Sequence, residues 1–170
     1  MPADGVIFPD VDAGAWYAHA IHVMTHLGVI KGYPDGNFRP SKPITRAEFT
    51  TLVVNFAGLE PINSAIFADV PHSHWAFGYI AAAANRGIVI GVEMDIFWPD
   101  INISRAEAVI ILNRTFNRAP DRDFIRNNAQ LLRFEDTLRH WAYYHIIEAA
   151  NTHYFRRDEQ TGGEIWLEVY

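Results

Sequence analysis

No cysteine occurs in the 170 residues. That absence excludes disulfides, thiolate metal sites and a cysteine nucleophile. Uninterrupted apolar runs are also missing, and none approaches the ~18–20 residues that a membrane span requires. The first residues, Met1-Pro2-Ala3-Asp4-Gly5, lack the basic and apolar regions of a signal peptide. If the protein is exported, its signal is expected upstream, in a longer native chain. Positive charge is scarce too: 14 Lys and Arg stand against 20 Asp and Glu, a net charge of -6. This argues against nucleic acid as partner, because phosphate binding relies on clustered cations. Motifs for nucleotide binding or acyl transfer (a P-loop, Gly-x-Gly-x-x-Gly, Gly-x-Ser-x-Gly) are absent. What is abundant is apolar surface, 49% of residues, which excludes a disordered tail.

Self-comparison organises the chain. Phe8, Asp10, Val11, Trp16 and Ile21 recur as Phe67, Asp69, Val70, Trp75 and Ile80. Gly28, Gly32, Phe38 and Pro40 recur as Gly87, Gly91, Phe97 and Pro99, and Ile44, Arg46, Ala47 and Glu48 as Ile103, Arg105, Ala106 and Glu107. Every pair is separated by the same 59 positions (8 to 67), without a gap. A third copy starts at Phe134, with Asp136, Trp141 and Ile146, and then diverges. The expected units are therefore 1–58, 59–119, a polar linker with a short helix at 120–133, and a divergent copy at 134–170, together one composite domain.

Each full copy reads as helix, loop, helix. Trp16, Ala20, Val23, Met24 and Leu27 share a face at helical spacing, and Gly28 is placed to close that helix. Gly32-Tyr33-Pro34-Asp35-Gly36 is a turn by its Pro-Asp-Gly chemistry. Thr45-Arg46-Ala47-Glu48 and Ser104-Arg105-Ala106-Glu107 are capping boxes, so Thr45, Glu48, Ser104 and Glu107 are expected to support helix starts. Arg46 and Arg105 then fall at the first helical position. Backbone N–H groups and the positive dipole end favour an anion there, and a guanidinium offers a fork for a carboxylate. The plainer alternative is a surface arginine paired with a nearby acid.

This ordered set resembles the S-layer homology family, whose pattern runs Phe-x-Asp-Val, His-Trp-Ala, Gly-Ile-(Ile/Val)-x-Gly, Tyr-Pro-Asp-Gly-x-Phe-x-Pro and Ile-Thr-Arg-Ala-Glu. The stretch from Phe8 to Phe56 follows it nearly throughout. The second copy has Val92-Glu93-Met94-Asp95 for Tyr-Pro-Asp-Gly, and Ser104 for Thr. The resemblance implies an all-α fold, a pseudo-threefold spindle of repeats around a central helical bundle. It further implies a bacterial cell-wall or surface-layer setting, fusion to a larger exported protein, no membrane insertion, and no cofactor. The implied partner is an acidic cell-wall polysaccharide held between repeats, typically through a pyruvylated amino sugar whose carboxylate meets the motif arginine. That role carries over to Arg46 and Arg105. The third copy has Thr161-Gly162-Gly163-Glu164, with glycine at the arginine position.

Asp10, Asp69 and Asp136 precede the first helices, either as caps or as acceptors for sugar hydroxyls. For Trp16, Trp75 and Trp141 the helical stripe predicts core packing; an exposed edge would instead line a groove. His19, His22 and His26 share a helical face, but without an acidic or cysteine partner nearby no metal site is expected there. His72 and His74 read as loop residues. Two other functions compete with glycan anchoring: a protein-interaction module for surface-layer assembly, and a glycoside hydrolase. Nothing places a carboxylate pair across a shared cleft, so an enzyme is not expected.

Overall fold

The two capping boxes start helices as their chemistry demands. Thr45 and Ser104 stand at the N-caps in extended conformation, each accepting from the N3 amide while Glu48 and Glu107 reach back to the cap amides. The structure, a computed structural model, describes residues 8–170; the segment Met1–Gly5 lies outside them. In chain order the helices are α1 (Ala18–His26), α2 (Arg46–Phe56), α3 (Phe77–Asn85), α4 (Arg105–Thr115), α5 (Arg122–Asn127) and α6 (Tyr143–Ala150). A 3-10 turn spans Glu135–Thr137, and two strands, β1 (His153–Arg157) and β2 (Glu164–Val169), close the chain.

The second helix of one copy packs on the first helix of the next: α2 against α3, and α4 against α6. Ala81, Ala82 and Ala83 are buried on α3, and such short side chains let the neighbouring backbone approach closely. Val53, Val54, Phe67, Ile80, Val89, Phe97 and Ile111 join Ala82 and Ala83 in the larger core. A smaller core holds Ile125, Leu131, Ile147 and Trp166. The segment 120–133 carries its short helix and also contributes buried Ile125 and Leu131 to that core. Asp121 caps α5 through Phe124 N–H at 2.9 Å and also accepts from Trp166 N–H at 3.1 Å, tying the segment to β2.

The all-α, pseudo-threefold expectation fails at the third copy. Where the first two copies place a second helix, the third forms an antiparallel hairpin, with Arg157 opposite Glu164 and His153 opposite Val169. The cause is local. Segments 153–157 and 164–169 are rich in aromatic and β-branched residues and are separated by a turn cluster. Asp158 fixes that turn, its carboxylate accepting from Gln160 N–H, Thr161 N–H and the Thr161 hydroxyl. Gly162 supplies φ +70°, and Trp166 is buried beneath the ribbon. The fold is mixed, six helices and one two-stranded sheet among the described residues.

The tryptophan stripe is a second correction. Trp16 precedes α1 and is 92% exposed; Trp75 and Trp141 are 58% and 68% exposed. In the first copy Ile21, not Trp16, is the buried residue of the helix, and Leu27 faces solvent.

Candidate functional site

Repetition of the backbone repeats a groove. In the first copy Val29–Tyr33, Lys42, Glu48, Thr51, Leu52 and Asn55 form its walls, and Trp75 of the next copy stands at the edge. In the second copy Val89–Val92, Glu107, Ile110, Ile111 and Arg114 take the equivalent places, with Trp141 of the third copy at the edge. The grooves measure ≈ 460 and ≈ 300 Å³, a size suited to small ligands. A third groove lies between α4 and α6. It brings Ser104 and Arg105 beside Phe134, Asp136, Thr137 and His140, in ≈ 560 Å³.

The two motif arginines, equivalent in sequence, sit in different environments. Arg46 is only 5% exposed. It crosses into the second copy, where Nε donates to Phe97 O at 2.8 Å and a terminal NH2 group pairs with Glu107 Oε1 at 2.7 Å. Its other terminal nitrogen points to Ile90 O at 3.4 Å, and the guanidinium covers the Phe97 ring at 4.6 Å. Burial pushes the Arg46 guanidinium down, and the Glu107 charge opposes that shift. For Glu107 burial pushes up, but hydrogen bonds from Ser104 and the charge and contact of Arg46 outweigh it and hold the carboxyl below its ordinary value. Arg105 is exposed and makes no side-chain hydrogen bond or ion pair among the described residues.

Amides at the helix starts differ in the same way. At α2 the Arg46 and Ala47 amides donate to Ile101 O and Pro99 O, both at 2.9 Å, so this terminus has no spare donors for an anion. The proline-bounded loop of the second copy already fills them. Arg105 and Ala106 have no such loop carbonyls, because the third copy lacks that loop.

Asp10 and Asp69 are neither helix caps nor free acceptors. Asp10 accepts from Phe38 N–H at 2.8 Å and Arg39 N–H at 2.6 Å; Asp69 accepts from Phe97 N–H at 2.8 Å and Trp98 N–H at 2.7 Å. Each closes its own copy's loop at a residue forced to positive φ, Arg39 at 60° and Trp98 at 59°. Carboxylates suit this task, since one side chain satisfies two amides at a strained position. The Phe38 N–H bond holds the Asp10 carboxyl below its usual value. Asp136 has no matching loop to close and instead lines the third groove. Gly32 and Gly91 complete the loops: a Cβ would lie 2.4 Å from the Phe8 ring at Gly32 and 2.4 Å from Glu93 O at Gly91.

Lys42, Tyr33 and Arg114 were not legible as groove residues. Lys42 Nζ bonds the Tyr33 hydroxyl at 3.0 Å and Glu48 at 3.3 Å while lying over the Tyr33 ring. Burial pushes up the Glu48 carboxyl, but bonds from Thr45 N–H, Tyr33 and Lys42 bring it net below its ordinary value. Arg114 is pushed down by burial and makes no side-chain hydrogen bond or ion pair among the described residues, which leaves its charge available to the second groove. The available signal is spacing from the capping box: Arg114 lies about two helical turns beyond Glu107, a reading that needs the groove's direction first.

Comparison with known proteins gives these observations a context. The S-layer homology domain matches residues 7–50 and 66–109. A cellulosome-anchoring protein of Acetivibrio thermocellus is 34% identical over 172 residues, covering 96% of this chain and 36% of that protein. S-layer protein EA1 of Bacillus anthracis is 33% identical over 143 residues, 83% of this chain and 16% of the relative. An amylopullulanase of Thermoanaerobacterium thermosulfurigenes is 39% identical over 113 residues, 62% of this chain but 6% of the enzyme. The chain thus spans little more than a third of the first of these relatives and far less of the others.

Proposed function

Because this chain belongs to the S-layer homology domain family, a family of bacterial cell-surface proteins, we propose that it is a non-catalytic module that anchors a larger surface protein to the cell wall. It does so by holding an acidic secondary cell-wall polysaccharide, through a pyruvylated amino sugar, in the grooves between copies.

One observation carries this reading: the same groove is built twice, each time lined by a cation and by an exposed indole of the next copy. Lys42 and Trp75 serve the first groove, Arg114 and Trp141 the second. An indole face stacks on the apolar face of a sugar ring, and the cation meets the carboxylate. A protein of net charge -6 gains nothing from long-range attraction to an acidic polymer. Beyond ~8–10 Å its own charge is screened, so fixed local cations must do the work. Arg46 forms the second groove's floor; Glu107 already claims part of its fork, and its Ile90-facing nitrogen meets the sugar. Arg105, with Asp136 beside it, offers a carboxylate and hydroxyl site in the third groove. Asp10 and Asp69 act at one remove, by fixing the loops that form the groove walls, whereas Trp16 lines none of the three grooves.

Calorimetry with soluble pyruvylated N-acetylmannosamine tests the assignment. Lys42→Ala with Trp75→Ala should remove one binding event, and Arg114→Ala with Trp141→Ala another. Loss of a charge-assisted bond worth ~1.5–3 kcal/mol weakens a groove roughly ten- to a hundred-fold. Unchanged binding in the fourfold variant would end this assignment.

A further inference from the structure

At the hairpin end, away from the two repeated grooves, lies a buried cluster that anchoring does not use. Glu148 of α6, His153 at the start of β1 and Glu164 at the start of β2 each bring one donor atom within 4.8 Å of the others. All three side chains are fully buried. The His153 ring stacks on Trp166 at 3.6 Å, and its Nδ1 lies 2.9 Å from Asn151 O. Nδ1 also has the donor-only Arg118 guanidinium at 3.4 Å, but the Asn151 carbonyl is nearer and only accepts, which assigns the proton to Nδ1 and aims Nε2 at the carboxylates. Nε2 lies 3.2 Å from Glu164 Oε2 and 3.5 Å from Glu148 Oε1.

Two guanidiniums flank the two buried carboxylates from outside the cluster, Arg118 at Glu148 and Arg157 at Glu164. Trp166 Nε1–H donates to Glu148 Oε2 at 3.1 Å. Arg118 Nε reaches Glu148 Oε1 at 2.7 Å, and Arg157 comes within 3.5 Å of Glu164 Oε1, but neither oxygen accepts a well-formed hydrogen bond. Burial first, and the Glu164 charge second, push the Glu148 carboxyl up. Buried oxygens without well-formed hydrogen bonds are costly, and a cation held by Nε2 between the three side chains would offset that cost. A proton on Nε2 is one candidate, but N⁺–H···O⁻ bonds run ~2.7–2.9 Å, shorter than either observed distance. A tetrahedral ion with bonds of ~2.0–2.1 Å requires donor–donor edges of about 3.3–3.4 Å; the two histidine edges bracket that value, and the carboxylate oxygens, within 4.8 Å of the others, would draw together on the ion.

We propose that Glu148, His153 and Glu164 form a structural site for a zinc-type divalent cation that staples the hairpin onto α6. One imidazole and two carboxylates suit zinc, with a water taking the fourth position. Calcium is disfavoured, because it takes six to eight oxygen ligands at longer range. The outer support is in place: Nδ1–H is oriented by Asn151 O, and the Asn151 side chain is itself fixed by Leu132 N–H, Leu132 O and Ile147 O. In the sequence the site was hidden, since its ligands come from a helix and two strands where a second helix was expected.

The test strips the full chain of metal in urea and chelator, then refolds it with and without zinc chloride. One zinc per chain should be retained after desalting, and the zinc-refolded protein should unfold at higher urea. Cobalt in place of zinc should give the visible absorption of a tetrahedral site. Glu164→Gln should lower zinc affinity by more than ~100-fold, the upper end of what a lost outer-shell partner costs, while His26→Ala leaves it unchanged. The wild-type comparison decides the matter even if Glu164→Gln does not fold. No retained zinc and coincident urea curves would overturn the proposal, as would zinc lost in His26→Ala but kept in Glu164→Gln.

Discussion

Arg46→Ala and Arg105→Ala change the same motif residue and should have very different effects on stability. Removing Arg46 leaves Phe97 O without its 2.8 Å donor and Glu107 without its 2.7 Å partner, and it uncovers the Phe97 ring. Breaking a buried ion pair by deleting one partner costs ~3–5 kcal/mol. The Glu107 side chain keeps 27% of its surface exposed, so water recovers part of its solvation and the low end applies, about 3 kcal/mol. That is over a hundredfold in the folding equilibrium and a large share of the ~5–15 kcal/mol that holds a domain together. Arg46→Lys keeps the charge but not the fork and should recover less than half. Arg105→Ala removes an exposed, unpaired side chain and should cost below ~0.5 kcal/mol. Urea unfolding, read by midpoint at constant slope, measures all three. If Arg46→Ala unfolds within ~0.5 kcal/mol of wild type, the inter-copy clamp is not a real contributor to the fold.

The loop carboxylates make two further predictions. Asp69→Ala strips both loop amides of their acceptor beside buried Phe97 and should cost about 2 kcal/mol, with Asp69→Asn recovering part, as urea midpoints will show. In the first copy the Arg39 guanidinium holds Asp35 down to about 2, and Asp10 is lowered by its loop amides. Both carboxyls are lowered on folding, so their contribution is complete above the ordinary ~3.9 and is lost on acidification, for Asp35 as pH falls through about 2. Stability should therefore decline from near pH 4 downward, and Asp35→Asn should flatten that decline; a decline that is unchanged in Asp35→Asn would exclude the Asp35–Arg39 contact as its source.

The helix starts were legible because a capping box is a local chemical pattern that acts through the backbone alone. Repeats were legible because the matched positions recur at a constant step of 59 residues without a gap. Burial was harder to read. Trp16 matches the helical stripe by spacing, yet the helix begins two residues later and the ring is solvent-facing. The roles of Asp10 and Asp69 depend on amides 28 and 29 positions away, a closure that no local rule announces. The hairpin is less legible for a different reason: the third copy matches the pattern only in its first half, and the all-α expectation rests on the family resemblance rather than on the residues after Asn151. Arg46 and Arg105 looked equivalent because sequence shows the motif and not the neighbour, and only Arg46 has a following copy with the complete loop.

Cell-wall pull-down addresses the central claim most directly. Purified walls stripped of protein are divided, and one half is chemically freed of pyruvate. The account predicts that the full chain sediments with intact walls, nearly independently of pH between 5 and 8, because arginine, lysine and a pyruvyl carboxylate keep their charges across that range. It predicts loss of binding on the pyruvate-free half. Equal binding to both preparations would contradict recognition of the acidic sugar, and failure to bind either would contradict anchoring itself.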